Sequence, residues 1–311
     1  MELRQIRYFV KAVELGSITR AALDLGIAQS AVSLQISQLE SELSVRLLQR
    51  NPRGVSATEA GNAFLREAYV ILRHAERAIC NSQQSRLMGA VTVGFAPAST
   101  PVIGLPLLRA MRARYPDIRL HVVESLSGHL SSMLDNRQLD IALLFNPKQS
   151  IHWNAVPLLE QKLYLISAHD FLPLQARTDR LSVRDLRDIP LLLPTPSNGL
   201  RNTIDAACIR AGFQPQIAAE IDCLSLLMDA VYTGLGATVQ PWAAMGRYAD
   251  AQRQLHLGEI DDPQLRHTYS LCSLYDEELS GAALRVRSVL KECLADLVEE
   301  GKWVGATLIV D

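Results

Sequence analysis

"GSITRAALDLGIAQSAVSLQISQLESEL", residues 16–43, carries two apolar stripes separated by a Gly-Ile-Ala break. Ile18, Ala21, Ala22 and Leu25 form the first, and Val32, Ile36, Leu39 and Leu43 the second; both recur every three or four residues, as helices buried on one face require. Ser17 is placed to cap the first helix, and Gly26 falls where a left-handed C-terminal residue is needed. Upstream, Leu3, Ile6, Phe9, Val10 and Val13 mark one face of a further helix. Two short helices joined by a tight glycine turn read as a helix-turn-helix.

The outer face of the second of these helices is unusual. A helix wheel places Ser30, Ser33, Leu34, Ser37 and Ser41 opposite Val32 and Leu39, flanked by Gln29, Gln35 and Gln38. A face that only meets water favours long charged side chains. Short hydroxyls and amides let a helix sit deep in a major groove, where Gln pairs with adenine, Ser with any base edge, and an outward Leu touches a thymine methyl. The plainer alternative is a three-helix bundle with a Ser/Gln-rich exposed face. The next stretch, "RLLQRNPRGVSAT" at 46–58, holds Arg46, Arg50 and Arg53 and no acid around a Pro-Arg-Gly turn. It predicts a two-stranded wing whose guanidinium groups reach phosphates or a minor groove, or simply a basic hairpin.

Composition sets the outer limits. A chain of 311 residues, 48% hydrophobic and without low-complexity tracts, is expected to fold as two domains. Charges interrupt the apolar residues of "MELRQIRYFVKAVE", so no signal peptide is expected, and no apolar run approaches a membrane span. The expected location is cytoplasmic. Cys80, Cys208, Cys223, Cys272 and Cys293 are scattered and form no C-x-x-C pair, which signals neither a disulfide framework nor a zinc site. Residues 1–88 hold 11 Lys and Arg against 8 Asp and Glu, while the remainder holds 20 against 25. A basic module is therefore joined to an acidic one.

Phe9, residues 16–43 and "LLQRNPRGVSATEAG" at 47–61 together resemble the LysR-type transcriptional regulators, and the resemblance runs the length of the chain. Ser30 stands where that family commonly has Pro, and Leu34 where it often has Arg or another polar residue. The resemblance implies DNA contacts by Gln29, Ser33 and Gln35 on the recognition helix and by Arg50 and Arg53 on the wing. Ser30 and Leu34 join them from the exposed face read above.

Ser56-x-x-Glu59 is a capping-box pattern, with Thr58 as the other candidate cap. From there Phe64, Leu65, Ala68, Ile71, Leu72, Ala75, Ala78 and Ile79 keep an apolar seam to Leu87, a helix of about 30 residues and ~45 Å. Such a seam either pairs with a second copy or lies across its own C-terminal domain. Pairing gives a twofold dimer with two recognition helices, and the resemblance implies a homodimer or homotetramer.

From Ala90 the pattern alternates: "VTVGFA" as a strand, a helix over 104–115, "IRLHVVE", a helix over 127–137 and "DIALLF". A second round follows in "KLYLISA", "IPLLLPT", a helix over 199–211, "QIAAEID", "LSLLMDAVYTG" and "GATVQP", then "RHTYSLCSLY" and a helix over 279–299. Alternation predicts a largely parallel sheet. The fold class expected is thus α/β plus an all-α N-terminal winged helix-turn-helix, with a long linker helix and a two-lobed effector domain like a periplasmic binding protein. The expected divisions are 1–58 for the winged helix-turn-helix, 59–89 for the linker and 90–311 for the effector domain. By resemblance, lobe I takes 90–160 and 267–300 and lobe II takes 161–266.

A crevice between two α/β lobes is a ligand site floored by strand ends and helix N-termini. Ser99, Thr100, Ser127, Gly128, Thr195, Ser197 and Asn198 stand at such positions, and the resemblance makes them effector contacts. Helix N-termini favour an anion, so a small carboxylate is the first expectation; the alternative is that these residues only cap helices. No metalloprotease, hydrolase, P-loop or dinucleotide-binding motif occurs, so no catalytic residue, cofactor or metal is expected. The expected function is a ligand-responsive regulator on an interrupted dyad operator. Its partners would be double-stranded DNA, a small-molecule effector and, further off, RNA polymerase, with no membrane. Two other readings stay open: a cytoplasmic small-molecule binding protein, and a thiol sensor using Cys208 and Cys223.

Overall fold

The computed structural model describes residues 1–51, 54–82, 89–171, 179–196, 198–246 and 254–309. The chain divides into two compact units, one built on residues 1–86 and one on 87–311 apart from two short segments.

The first unit begins with three helices, α1 (Leu3–Glu14), α2 (Ile18–Leu25) and α3 (Gln29–Leu43). Ser17 Oγ accepts from the Arg20 N–H at 3.3 Å, and Gly26 closes α2 with φ +67°, as their positions predict. Ile6, Phe9, Val10, Ile18, Ala21, Val32, Ile36 and Leu39 form the shared core. Leu3 and Leu43, expected inside, are 48% and 37% exposed because they lie at helix ends beyond the reach of that core. Strands β1 (Leu48–Asn51) and β2 (Gly54–Ala57) pair antiparallel as the wing. Helix α4 (Glu59–Ser82) follows; of the longer helix expected, residues 83–87 lie outside the described residues. Its cap is Thr58, whose Oγ1 accepts from the Gly61 N–H at 2.9 Å, whereas Ser56 is committed to β2. Leu65 and Ala68 bury against the three-helix core, and Phe64 meets Phe9 edge-on with ring centroids 5.4 Å apart. The first half of the expected seam is therefore spent within this unit.

The second unit contains two sheets. One runs β14-β6-β13-β5-β3-β4, built from β3 (Gly89–Phe95), β4 (Ile118–Glu124), β5 (Ile141–Phe145), β6 (Asn154–Gln161), β13 (His267–Ser273) and β14 (Ala306–Leu308). Helices α5 (Thr100–Arg114), α6 (Ser127–Asp135) and α9 (Gly281–Glu299) accompany it. The other sheet runs β11-β7-β12-β8, from β7 (Leu163–Ala168), β8 (Arg180–Leu181), β11 (Thr238–Pro241) and β12 (Leu255–Ile260). The parallel pair β9 (Leu191–Leu193) and β10 (Ile217–Glu220) joins it through a bridge from Leu191 to Ala237. Helices α7 (Gly199–Arg210) and α8 (Leu224–Tyr232) complete this second lobe.

The expectation of largely parallel sheets is corrected. β3 pairs parallel with β4 and β5, but β13 runs antiparallel to β5 and β6, and β14 antiparallel to β6. The cause is the connection: β6 leaves the first lobe and β13 returns to it, so these two strands oppose one another. β6 escapes sequence reading because Pro157 lacks an N–H and demotes its run; the ladder absorbs it at a bulge between Tyr269 and Ser270. β8, β12 and β14 were likewise unexpected. Helix α5 starts at Thr100 rather than at 104, since Pro101 in the first turn needs no N–H partner and Pro106 is tolerated inside.

Candidate functional site

Two surfaces carry the candidate residues, one in each unit. On α3, Gln29, Ser30 and Leu34 are exposed and Ser33 and Gln35 half-buried, with Leu34 at 57% the most open large apolar side chain of the helix. Gln35 turns its Oε1 inward, where no described atom bonds it. Helix α3 starts at Gln29 after Ala28 without a side-chain cap, so Ser30 does not displace its beginning. Arg50 belongs to β1, while Arg53 lies outside the described residues.

Sequence reading missed the residue that fixes the wing to this helix. The Glu40 carboxylate, on α3, accepts the N–H of Leu47 at 2.8 Å and of Leu48 at 2.9 Å. Two charge-assisted bonds therefore lock the entry to β1 against the recognition helix. The Val55 N–H, donating to the Gly16 carbonyl at 3.0 Å, holds the second strand.

The second surface is a cavity between the two lobes of the 87–311 unit. Leu126, Ser127 and Gly128 at the start of α6 line it from the first lobe, and Asn198, Gly199 and Leu200 at the start of α7 from the second. Phe145, Ile221, Leu224 and Leu227 make apolar walls, and Gln240, His267 and Tyr269 bring polar atoms. Ser127 Oγ accepts from the Phe145 N–H at 3.2 Å, which leaves its own hydrogen to donate. Asn198 Oδ1 caps α7 by accepting from the Leu200 N–H at 2.9 Å, so its amide hydrogens are not used by the cap.

The other candidates are placed differently. Ser99 is fully buried and donates to the Ala96 carbonyl at 2.8 Å, serving the start of α5 and lining neither this cavity nor the one beside it. Thr100 donates weakly to the same carbonyl and lines the neighbouring cavity. Thr195 spends its N–H and hydroxyl on the Asp222 carboxylate, at 2.9 and 3.0 Å. Ser197 lies outside the described residues. Asp222, which lines both cavities, and the aromatic pair His267 and Tyr269 on β13 were not singled out from the sequence.

Burial shapes the chemistry of that pair. His267 is 3% exposed and Tyr269 fully buried, their rings stacked 5.0 Å apart. Burial holds the His267 imidazole well below its ordinary range and pushes the Tyr269 phenol up, so both are neutral. The cysteines separate as well. Cys208 is buried in the second lobe's core, its thiol pushed up to about 11 by that burial and by Asp205. Cys223 is exposed before α8, its thiol lowered by hydrogen bonds from Ser225 and the Leu226 N–H.

The family model for the "LysR substrate binding domain" matches residues 84–295, and that for the "Bacterial regulatory helix-turn-helix protein, lysR family" matches residues 3–62. The chain belongs to the LysR family. Among similar LysR proteins, the nitrogen assimilation regulatory protein Nac of Escherichia coli is 32% identical, covering 97% of this chain and 99% of that one. Nac of Klebsiella aerogenes is 34% identical over 93% and 94%. A full-length OxyR variant from Pseudomonas aeruginosa shares the fold with a TM-score of 0.77 and 21% identity, covering 94% of each chain. This LysR-family protein is a DNA-binding transcriptional regulator with an effector-binding domain. Among the described residues no helix is long and apolar enough to cross a membrane.

Proposed function

We propose that the regulator reads an interrupted dyad operator through Gln29, Ser30, Ser33, Leu34 and Gln35 in the major groove, with Arg50 and Arg53 on flanking phosphates. The observation that carries this is the Glu40 clamp, which makes α3 and the wing one rigid reading head. Residues 1–58 would act as that head, 59–89 as the pairing segment of a homodimer or homotetramer, and 90–311 as the sensor. The effector enters between the lobes at Ser127, Gly128 and Asn198, with Thr100 at the adjoining cavity and with Thr195 and Ser197, which precede α7 in sequence, as further contacts. Ser99 supports the start of α5 rather than touching the ligand. An effector shifts the regulator only by binding one lobe arrangement better than the other, which in turn resets the spacing of the paired heads. The protein works in the cytoplasm by binding, without catalysis.

The test is a footprint of the purified protein on DNA flanking its own gene, beside the Arg50→Ala/Arg53→Ala double variant. A two-part protected site lost in the variant supports the reading. A protein showing no salt-dependent affinity for any duplex overturns it.

A further inference from the structure

The cleft has a floor and a rim of opposite character. His267 and Tyr269 line it with side chains more than nine-tenths buried, and His267 Nδ1 and Nε2 and Tyr269 Oη have no hydrogen-bond partner among the described residues. Leaving such atoms unpaired is costly, so their place in residues that line a cavity calls for a polar ligand. A neutral imidazole supplies one N–H, the phenol one O–H, and Ser127 a hydroxyl hydrogen; the opening turns of α6 and α7 add backbone N–H groups. These donors belong to residues that line one cavity, a set that suits a carboxylate.

The rim is acidic. Asp222 lines both this cavity and its neighbour, and Glu124 lines the neighbour. No Lys or Arg lines either among the described residues. The buried guanidinium near the start of α7, Arg201, is already bonded to Asp205 at 2.9 Å and Glu220 at 2.8 Å. A ligand that is only an anion meets two carboxylates here with no cation to offset them.

Resting on the reading of the cleft as the effector site, we propose that its ligand is a small amino carboxylate. The carboxylate takes the donor floor of His267, Tyr269 and Ser127, and the ammonium faces Asp222. The body between them packs on Phe145 and Leu224.

The experiment measures thermal stabilisation and calorimetric binding of the full-length protein with three matched sets. These are the common L-amino acids, the amine-free carboxylates bearing the same side chains, and the carboxyl-free amines. The expected result is one or a few amino acids that bind, with their amine-free and carboxyl-free counterparts each weaker by about ten-fold or more. Asp222→Asn, whose amide oxygen still accepts from Thr195, should erase the preference over the amine-free acid. Gly128→Leu, which adds bulk to a residue that lines the cavity and has room for a Cβ, should block binding. Melting of both variants without ligand verifies that they fold.

If only amine-free carboxylates bind, and Gly128→Leu blocks them, the proposal fails while the cleft remains the effector site. Binding untouched by Gly128→Leu overturns the cleft reading itself. A panel without any binder, or a preference that survives Asp222→Asn, overturns the proposal.

Discussion

Gly54 rests directly on Gly16: a Cβ at Gly54 would stand 2.3 Å from the Gly16 carbonyl oxygen, and its φ is +137°. Neither fact is available to an L side chain, so the wing docks on the α1–α2 turn only because this position is glycine. Gly54→Ala should destabilise the N-terminal unit by about 2–4 kcal/mol and weaken DNA binding with it. Gly26→Ala, with a left-handed φ but open space, should cost only about 1 kcal/mol. Thermal unfolding of the two variants compares them, and equal losses would remove the close approach as the cause.

Glu40 is a positioning residue for the wing. Glu40→Ala strips the acceptor from the Leu47 and Leu48 N–H groups and should lower operator affinity by about ten-fold. Glu40→Gln keeps one acceptor oxygen and should recover part of it. Band shifts with both variants decide; no recovery with Gln would point to charge rather than geometry.

Ser33→Ala should cost about 1 kcal/mol on operator DNA and little on random duplex, since a hydroxyl at a base edge reads sequence. Arg50→Ala should instead weaken every duplex and flatten the salt dependence. Parallel titrations at several salt concentrations separate the two, and an equal loss on both DNAs for Ser33→Ala would argue against base reading.

Cys223 should be alkylated before Cys208 at neutral pH, because its thiol is lowered and exposed, while Cys208 waits for unfolding. Peptide-resolved mass spectrometry follows this directly. Early labelling of Cys208 would mean that the second lobe's core opens in the native state.

His267 adds a pH dependence whose sign follows from burial. Its folded pKa is depressed, so the stability it contributes is complete above the unfolded value of ~6.5 and is lost as pH falls toward the folded value. His267→Asn should therefore melt with a shallower acid limb below that pH than the native protein. Identical limbs would place the acid sensitivity elsewhere.

How much of this was legible depended on whether the signal was local. The helices around Gly26, the paired strands of the wing and the exposed face at Ser30 and Leu34 follow from spacing and cap chemistry within a few residues. The Glu40 clamp spans seven residues between a helix and a strand, and nothing in its composition distinguishes it from a solvated glutamate. Asp222, His267 and Tyr269 meet at the cleft only after a chain crossing, and a buried histidine in a strand reads like any core residue. The sequence could not show which way Ser99 turns, because a serine before a helix looks the same whether its hydroxyl faces a ligand or, as here, donates to its own backbone.

The order β14-β6-β13-β5-β3-β4 puts the last-made strands in the middle and at the edge of a sheet begun at Gly89. During synthesis β5 keeps a bare edge until His267–Ser273 emerges to cover it, whereas the N-terminal core is complete once Ala68 has left the ribosome. A nascent chain thus acquires its means of touching DNA before its means of being instructed. A nonsense mutation upstream of β13 would yield a fragment that keeps the N-terminal core and lacks the strand that closes the sheet of the sensor.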